Sequence, residues 1–208
     1  MMFMTRNVGI YIFDEVEVLD FAGPFEVFAV ASRVKARLQP DAAKPFEVFT
    51  VADAVRPIKA RGGLMVQPNF DFRSHPRIDI LVVPGGLVDA ESEREEVIQW
   101  ISQTAAASSL TASVCTGATL LGKAGLLRNK TVTTHWADIE DLRLMFPETI
   151  VTENMRWVDT GAVVTSGGIS AGIDMSLHLV ARLETEELAT KTARQMEYNR
   201  QRSPSVLS

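Results

Sequence analysis

Short apolar runs alternate with helical runs along this chain, and no other feature limits its fold as strongly. The run "NVGIYIF" (7–13) precedes the helical segment "GPFEVFAVASRVK" (23–35), and "LTASV" (110–114) precedes a second helical pattern at about 116–124. Strands separated by helices are typical of a parallel sheet that is covered on both faces. We therefore predict an α/β fold with a mostly parallel sheet.

The remaining elements continue this alternation. Pro24 is expected at the first position of the first helix, where its missing N–H costs nothing. The segment Asp159–Thr160–Gly161 predicts a hairpin turn between two short strands. Further strands are predicted at 46–52, 64–70, 78–86, 130–135, 149–153, 156–161 and 162–168, and further helices at 93–107, 137–146, 170–183 and 184–199.

Composition limits the classes of partner and compartment. The chain has 208 residues, a net charge of -5 and no dense block of Lys or Arg, which disfavours nucleic acid as a partner. We expect one domain over 1–200 and a flexible tail over 201–208. One cysteine cannot form an internal disulfide, and no apolar stretch reaches the ~20 residues of a membrane helix. Acidic residues follow the N-terminus too soon for a signal peptide, so we expect a soluble cytoplasmic protein.

The single cysteine, Cys115, stands between a predicted strand and a predicted helix. This placement is similar to the nucleophile elbow of hydrolases, which has a glycine two residues later, here Gly117. The helix N-terminus should favour a thiolate, the reactive form of cysteine. The alternative is a buried structural thiol that behaves as a small apolar residue. The position at a strand end favours the functional interpretation.

Two glycines and one carboxylate lie at the ends of other predicted strands. Gly85 and Gly86 could supply a backbone N–H that binds a developing negative charge together with the amide of Thr116, although they could also form a plain tight turn. Asp20 could be a helix cap or an acid-base group whose pKa is raised beside the thiol. Glu15 and Glu17 are rival carboxylates in the same loop.

A functional role is less strongly indicated for the other polar residues. His135 could be a general base, but we rank pocket wall or structural residue first; His178 is expected to be a core or interface histidine. The segment "TSGGISAGID" could form an anion-binding nest, although we rank helix capping by Ser170 first. Neither the spacing of metal ligands nor a nucleotide-binding glycine motif is present in the sequence, so no cofactor is expected.

Five segments together resemble the ThiJ/PfpI superfamily: "VLDFAGPFEVF", "ILVVPGG", "SVCTGATLLGKAGLL", "TTHWA" and "SGGISAGIDMSLHLV". The resemblance is strongest to its isocyanide hydratase branch, which has an aspartate in an "LD..GP" context, here Asp20. Thr116 follows the cysteine where the proteases of the superfamily have histidine, and no His-Pro-Glu segment of glutamine amidotransferases is present. Protease and glutaminase activities are therefore disfavoured.

The resemblance implies a flavodoxin-like sandwich, a homodimer and cysteine-dependent hydration of isocyanides to formamides without a cofactor. It implies Cys115 as nucleophile and Asp20 as proton donor, with Thr116 positioning the thiol or water. Gly85, Gly86, His135 and Gly168 would line the pocket. Two alternatives stay open: glyoxalase-like chemistry on α-oxoaldehydes, and a non-catalytic ligand- or redox-sensing domain like those of AraC-type regulators.

Overall fold

The computed structural model describes residues 5–202 and residue 204. The strands are β1 (Arg6–Tyr11), β2 (Phe46–Ala52), β3 (Ile58–Lys59), β4 (Met65–Val66), β5 (Phe70–Asp71), β6 (Ile80–Val83), β7 (Leu110–Val114), β8 (Thr131–Val132), β9 (Ile150–Val151), β10 (Trp157–Asp159) and β11 (Val163–Ser166). The helices are α1 (Val18–Leu38), α2 (Asp89–Ser92), α3 (Glu95–Ala107), α4 (Gly117–Lys123), α5 (Ile139–Met145), α6 (Ala171–Leu183) and α7 (Glu186–Gln195).

The central sheet has seven strands in the order β10-β11-β7-β6-β1-β2-β5. All neighbouring pairs are parallel except β10 and β11, which run antiparallel. The last pair is joined at Asp159–Gly161, as the hairpin prediction required. The predicted α/β class with a mostly parallel sheet is confirmed.

The order of the strands shows where a crevice opens at the edge of the sheet. The crossover through α1 leads from β1 to β2, whereas the crossover through α2 and α3 leads from β6 to β7 in the opposite direction. Right-handed crossovers in opposite directions put their helices on opposite faces of the sheet. The strand order reverses between β1 and β6, and such a reversal opens a crevice at the carboxyl ends of the strands.

The core lies between the sheet and its helices. The last four residues of β1 and all residues of β6 and β7 are buried, as expected for strands covered on both faces. Helices α1, α6 and α7 pack against one another. Phe28 of α1 meets Phe46 edge-on at a ring separation of 5.0 Å. Of the helices in residues 5–202 and 204, none is long and apolar enough to cross a membrane.

The predicted start of the first helix was wrong. Helix α1 begins at Val18, so Pro24 lies inside it rather than at its first position. Pro24 has no N–H for the carbonyl of Asp20, and burial of Phe21 and Val27 against the core offsets that lost hydrogen bond. The earlier start places Asp20 in the first turn of the helix.

The segments at 130–135 and 149–153 form strands, but outside the central sheet. Strands β8 and β9 are two residues long and pair with each other in a separate parallel sheet. Short apolar runs predict extended backbone but not which strand becomes the neighbour.

The predicted flexible tail over 201–208 falls mostly outside the described residues. Among the described ones, the Gln201 N–H donates to Oδ1 of Asp174 over 2.9 Å. The Pro204 carbonyl accepts from the N–H of Arg156 over 2.6 Å.

Candidate active site

Cys115 lies directly after β7 in a backbone conformation that residues other than glycine rarely adopt. Its φ is +58°, in the left-handed region, and such a conformation costs about 1–3 kcal/mol for a residue other than glycine. The Cys115 N–H is shared between the carbonyls of Ser166 and Gly167, at 3.2 and 3.3 Å. A Cβ on Gly117 would clash with the Val83 carbonyl, so glycine is required there, as the elbow predicted. The sharp turn holds the thiol at the carboxyl edge of the sheet.

Asp20 is the carboxylate that reaches the thiol. Its side chain is fully buried, and its Oδ2 accepts the N–H of Gly85 over 3.1 Å. Its Oδ1 accepts the N–H of Ile169 over 3.0 Å. The N-cap of α1 is Glu17, so Asp20 is not a helix cap. Asp20 instead accepts one hydrogen bond from the loop after β6 and one from the loop after β11, next to the cysteine.

Burial raises the pKa of Asp20 from 3.8 to about 6, although the N–H groups of Gly85 and Ile169 act against this shift. Burial also raises the pKa of the Cys115 thiol from 9.0 to about 12, and the negative charge of Asp20 adds to that increase. The expected lowering of the thiol pKa was therefore wrong. Near neutral pH the proton resides on sulfur and the carboxylate beside it can accept that proton.

The two glycine amides after β6 already have acceptors. The Gly85 N–H donates to Asp20, and the Gly86 N–H donates to Oγ1 of Thr116 over 3.0 Å. The Thr116 hydroxyl in turn donates to the Gly86 carbonyl over 3.0 Å. In this geometry neither glycine amide is free to bind a developing charge. Thr116 holds the loop after β6 against the cysteine, and its own N–H lowers the pKa of the thiol.

His135 reaches the site from outside the central sheet. It precedes the short 3-10 helix Trp136–Asp138, and its Nδ1 lies 3.1 Å from Oδ2 of Asp138. A Cβ on Gly168 would clash with the His135 ring and lie 3.4 Å from Sγ of Cys115. Gly168 and His135 therefore form a wall beside the thiol, the arrangement that ranked first for His135.

Two cavities are lined by residues close to the cysteine, although Cys115 itself lines neither. The first, of about 510 Å³, is lined by Thr134, Gly168, Trp136 and Ile139 and by charged residues that include Glu140, Glu153 and Arg156. The second, of about 380 Å³, is lined by Thr116 and by charged residues that include Asp89, Glu93, Asp138, Asp141 and Lys123. Within residues 5–202 and 204, no group of three or more His, Cys, Asp or Glu is arranged to hold a metal ion.

Several other candidates lie elsewhere or act differently. Glu17 lies 3.7 Å from Arg61, and its charge helps to raise the pKa of Asp20. His178 is half-buried and bonds to Asp159 over 2.7 Å, near Trp157 and away from the cysteine. Ser170 occupies the N-cap position of α6, but its side chain makes no capping hydrogen bond.

Two residues that contribute to the site were not predicted from the sequence. Ile169, with a φ of +52°, supplies a backbone N–H to Asp20, a role that leaves no trace in residue type. Thr134 donates its hydroxyl to the Cys115 carbonyl over 2.8 Å. Its place in the segment "TTHWA" was visible, but its partner required the fold.

Comparison with known proteins agrees with this geometry. The model of the DJ-1/PfpI family matches residues 6–182. The chain belongs to the DJ-1/PfpI family. The flavodoxin-like fold expected of such a member is the fold observed, with β7, the cysteine turn and α4 all inside the matched range.

Individual relatives of this DJ-1/PfpI protein include an enzyme and a regulator. An isonitrile hydratase from Pseudomonas putida is 35% identical over 94% of this chain and 79% of the hydratase. The HTH-type transcriptional regulator GbdR from Pseudomonas aeruginosa is 25% identical over 95% of this chain, which spans 52% of the regulator. A crystal structure of a ThiJ/PfpI family protein from Pseudomonas syringae has a TM-score of 0.83 and 26% identity, over 96% of this chain and 78% of the other.

Proposed function

We propose that this protein hydrates isocyanides to N-substituted formamides, with Cys115 as nucleophile. The pairing of the Cys115 thiol with the buried carboxylate of Asp20 is the observation that carries the proposal. The isonitrile hydratase from Pseudomonas putida supports it, since that enzyme is 35% identical to this chain over an alignment that covers 94% of the chain.

The first half of the reaction forms a carbon-sulfur bond. Asp20 accepts the thiol proton as sulfur attacks the terminal carbon of R–N≡C, and the protonated Asp20 then gives that proton to the same carbon. The product is a thioimidate, R–N=CH–S–Cys115. A pKa near 6 suits a carboxyl that must take and release a proton near neutral pH.

The second half consumes water. Water adds to the thioimidate carbon with one proton passing to nitrogen, and the carbon-sulfur bond then breaks as the second proton returns to sulfur. The formamide R–NH–CHO leaves with the water oxygen on carbon and one water hydrogen on nitrogen, and the other water hydrogen restores the thiol. The Thr116 N–H next to sulfur stabilises negative charge on the departing thiolate.

The test is formation of N-cyclohexylformamide from cyclohexyl isocyanide, followed by chromatography. We expect product from the wild type, none above background from Cys115→Ala, and a rate at least ~10²-fold lower from Asp20→Asn. Glu26→Gln is the matched control, because Glu26 is an exposed carboxylate of the same helix that pairs with Arg33. Equal product from the wild type and Cys115→Ala would refute the proposal.

A ligand-sensing role is the second candidate, because 95% of this chain also aligns with the regulator GbdR at 25% identity. Sensing predicts binding without turnover. Tight binding of an isocyanide with no formamide formed would favour it over hydration.

A further inference from the structure

Asp174 is a buried carboxylate that the proposed reaction does not use. It lies in the first turn of α6, and its side chain is fully buried. Oδ2 of Asp174 accepts from Nε of Arg156 over 2.7 Å and from the hydroxyl of Tyr198 over 3.0 Å. Oδ1 accepts from the N–H of Gln201 over 2.9 Å. Because a buried charge is costly without such partners, these contacts fix the position of the carboxylate.

Arg156 joins this carboxylate to the loop after β11, residues 167–170. It directly precedes β10, and its backbone carbonyl accepts the N–H of Gly167 over 2.9 Å. Its guanidinium bonds to Asp174 and lies 3.5 Å from the hydroxyl of Ser170. Gly167 is the first residue of the loop and Ser170 is the last. Arg156 therefore holds the loop at both of its ends.

This loop contacts both groups that react. The Gly167 carbonyl accepts the N–H of Cys115 over 3.3 Å, and the N–H of Ile169 donates to Asp20 over 3.0 Å. The φ of Ile169 is +52°, a left-handed conformation that is unfavourable for a β-branched residue. Such a conformation persists only where the surrounding structure holds it. The loop thus depends on contacts from outside itself.

We infer that Arg156 is a positioning residue for the proposed reaction, which holds the loop 167–170 against Cys115 and Asp20 through its ion pair with Asp174. This inference rests on the proposed function. Among the described residues, the hydrogen bonds and ion pairs of Arg156 do not include Cys115 or Asp20, so it acts on them through the loop.

The kinetic test uses the double variant Arg156→Gln/Asp174→Asn with cyclohexyl isocyanide. Two neutral side chains replace the ion pair, so no unpaired charge is left buried. We expect kcat to fall at least about tenfold and KM to change less than about threefold, because a displaced loop alters the geometry of the reacting groups. A higher KM at unchanged kcat would overturn the inference, because Arg156 lines the larger cavity and would then bind substrate directly.

Arg182→Gln is the matched control. Arg182 joins the same helix to β10 by an ion pair with Asp159 over 2.9 Å. An equal loss of kcat in this control would show general destabilisation and overturn the inference. If the double variant does not fold, Arg156→Lys serves instead, because lysine keeps the positive charge but lacks the planar fork of the guanidinium. We then expect kcat to be about threefold lower, and a wild-type kcat would overturn the inference.

A titration of Asp20 tests the inference without turnover. In protein labelled with ¹³C at the aspartate carboxyl carbons, the Asp20 signal is the one absent from Asp20→Asn. The Ile169 N–H lowers the pKa of Asp20, so a displaced loop should raise that pKa above its wild-type value of about 6. Glu17 and Cys115 also act on this pKa, and both are unchanged in the double variant.

A higher pKa in the double variant, and not in Arg182→Gln, would support the positioning role of Arg156 even if no isocyanide is hydrated. In that case only the proposed function would fail. An unchanged or lower pKa of Asp20 would overturn the inference, whether or not the wild type forms formamide.

Discussion

Replacement of Asp20 by asparagine should stabilise the fold near neutral pH while it lowers the rate of the proposed reaction at least ~10²-fold. Burial raises the pKa of Asp20 from 3.8 to about 6, so ionisation is costlier in the folded protein than in the unfolded chain. A shift of roughly two units corresponds to about 3 kcal/mol. Asp20→Asn removes the charge but loses one of two backbone hydrogen bonds, worth about 1 kcal/mol. The net expectation is that Asp20→Asn raises the free energy of unfolding by about 2 kcal/mol.

The sign of the pH dependence follows from proton linkage. The folded pKa lies above the unfolded one, so the folded protein binds the proton more tightly and wild-type stability falls as pH rises from about 4 to about 6. Below this window Asp20 is protonated in both states and the penalty is absent. The advantage of Asp20→Asn should therefore be lost at about pH 4 and fully present above about pH 7.

Urea unfolding of wild type and variant at a series of pH values measures this difference. Asp14→Asn is the control of opposite sign, because the Lys59 N–H and Arg56 lower the pKa of Asp14 and stabilise its charged form. An Asp20→Asn protein that is less stable than wild type at neutral pH, or whose advantage does not vary with pH, would refute the reasoning.

Further predictions concern the Cys115 thiol, the glycine beside it, a buried serine and the oligomeric state. Iodoacetamide should modify Cys115 slowly in the wild type at neutral pH, because the pKa of the thiol is raised. It should react faster with Asp20→Asn, because the negative charge of Asp20 no longer raises that pKa; equal rates in the two proteins would contradict this. Gly168→Ala should lower kcat at least about tenfold and stability by about 1–3 kcal/mol, whereas Gly167→Ala, whose Cβ has ordinary contacts from 3.5 Å, should do neither. Ser113→Ala should raise the free energy of unfolding by about 1 kcal/mol in urea titrations, since its buried hydroxyl has no partner among the described residues; a loss would mean the hydroxyl is satisfied. Light scattering should give about twice the chain mass of 22.9 kDa for the proposed homodimer, and the chain mass itself would argue against one.

The sequence predicted correctly those strands and helices whose hydrophobic pattern lies within the element itself. The apolar runs of β1, β6 and β7 and the helical run of α3 appear where predicted, because each is buried or amphipathic over its own length. The start of α1 was missed because Pro24 is a strong local signal that core packing overrode. The partner of β8 was missed because pairing depends on distant segments.

The positions of the candidate residues were easier to predict than the charges of their side chains. Position after a strand indicated Cys115 and His135, whereas only the family resemblance separated Asp20 from Glu15 and Glu17. The raised thiol pKa was not predictable, since it depends on burial and on the distance to a carboxylate from another element. The Ile169 amide was missed because backbone groups have no signature in sequence.

The carboxylate of Asp20 ties together positions 65 and 149 residues away along the chain. Contacts of such long range close only when the sheet has assembled, so they form late in folding and are lost as soon as any of the three segments detaches. A truncated or partly unfolded chain should accordingly retain no fraction of the site. Turnover should then fall as soon as one of the three segments detaches, before the rest of the structure unfolds, which makes it a sensitive measure of native protein.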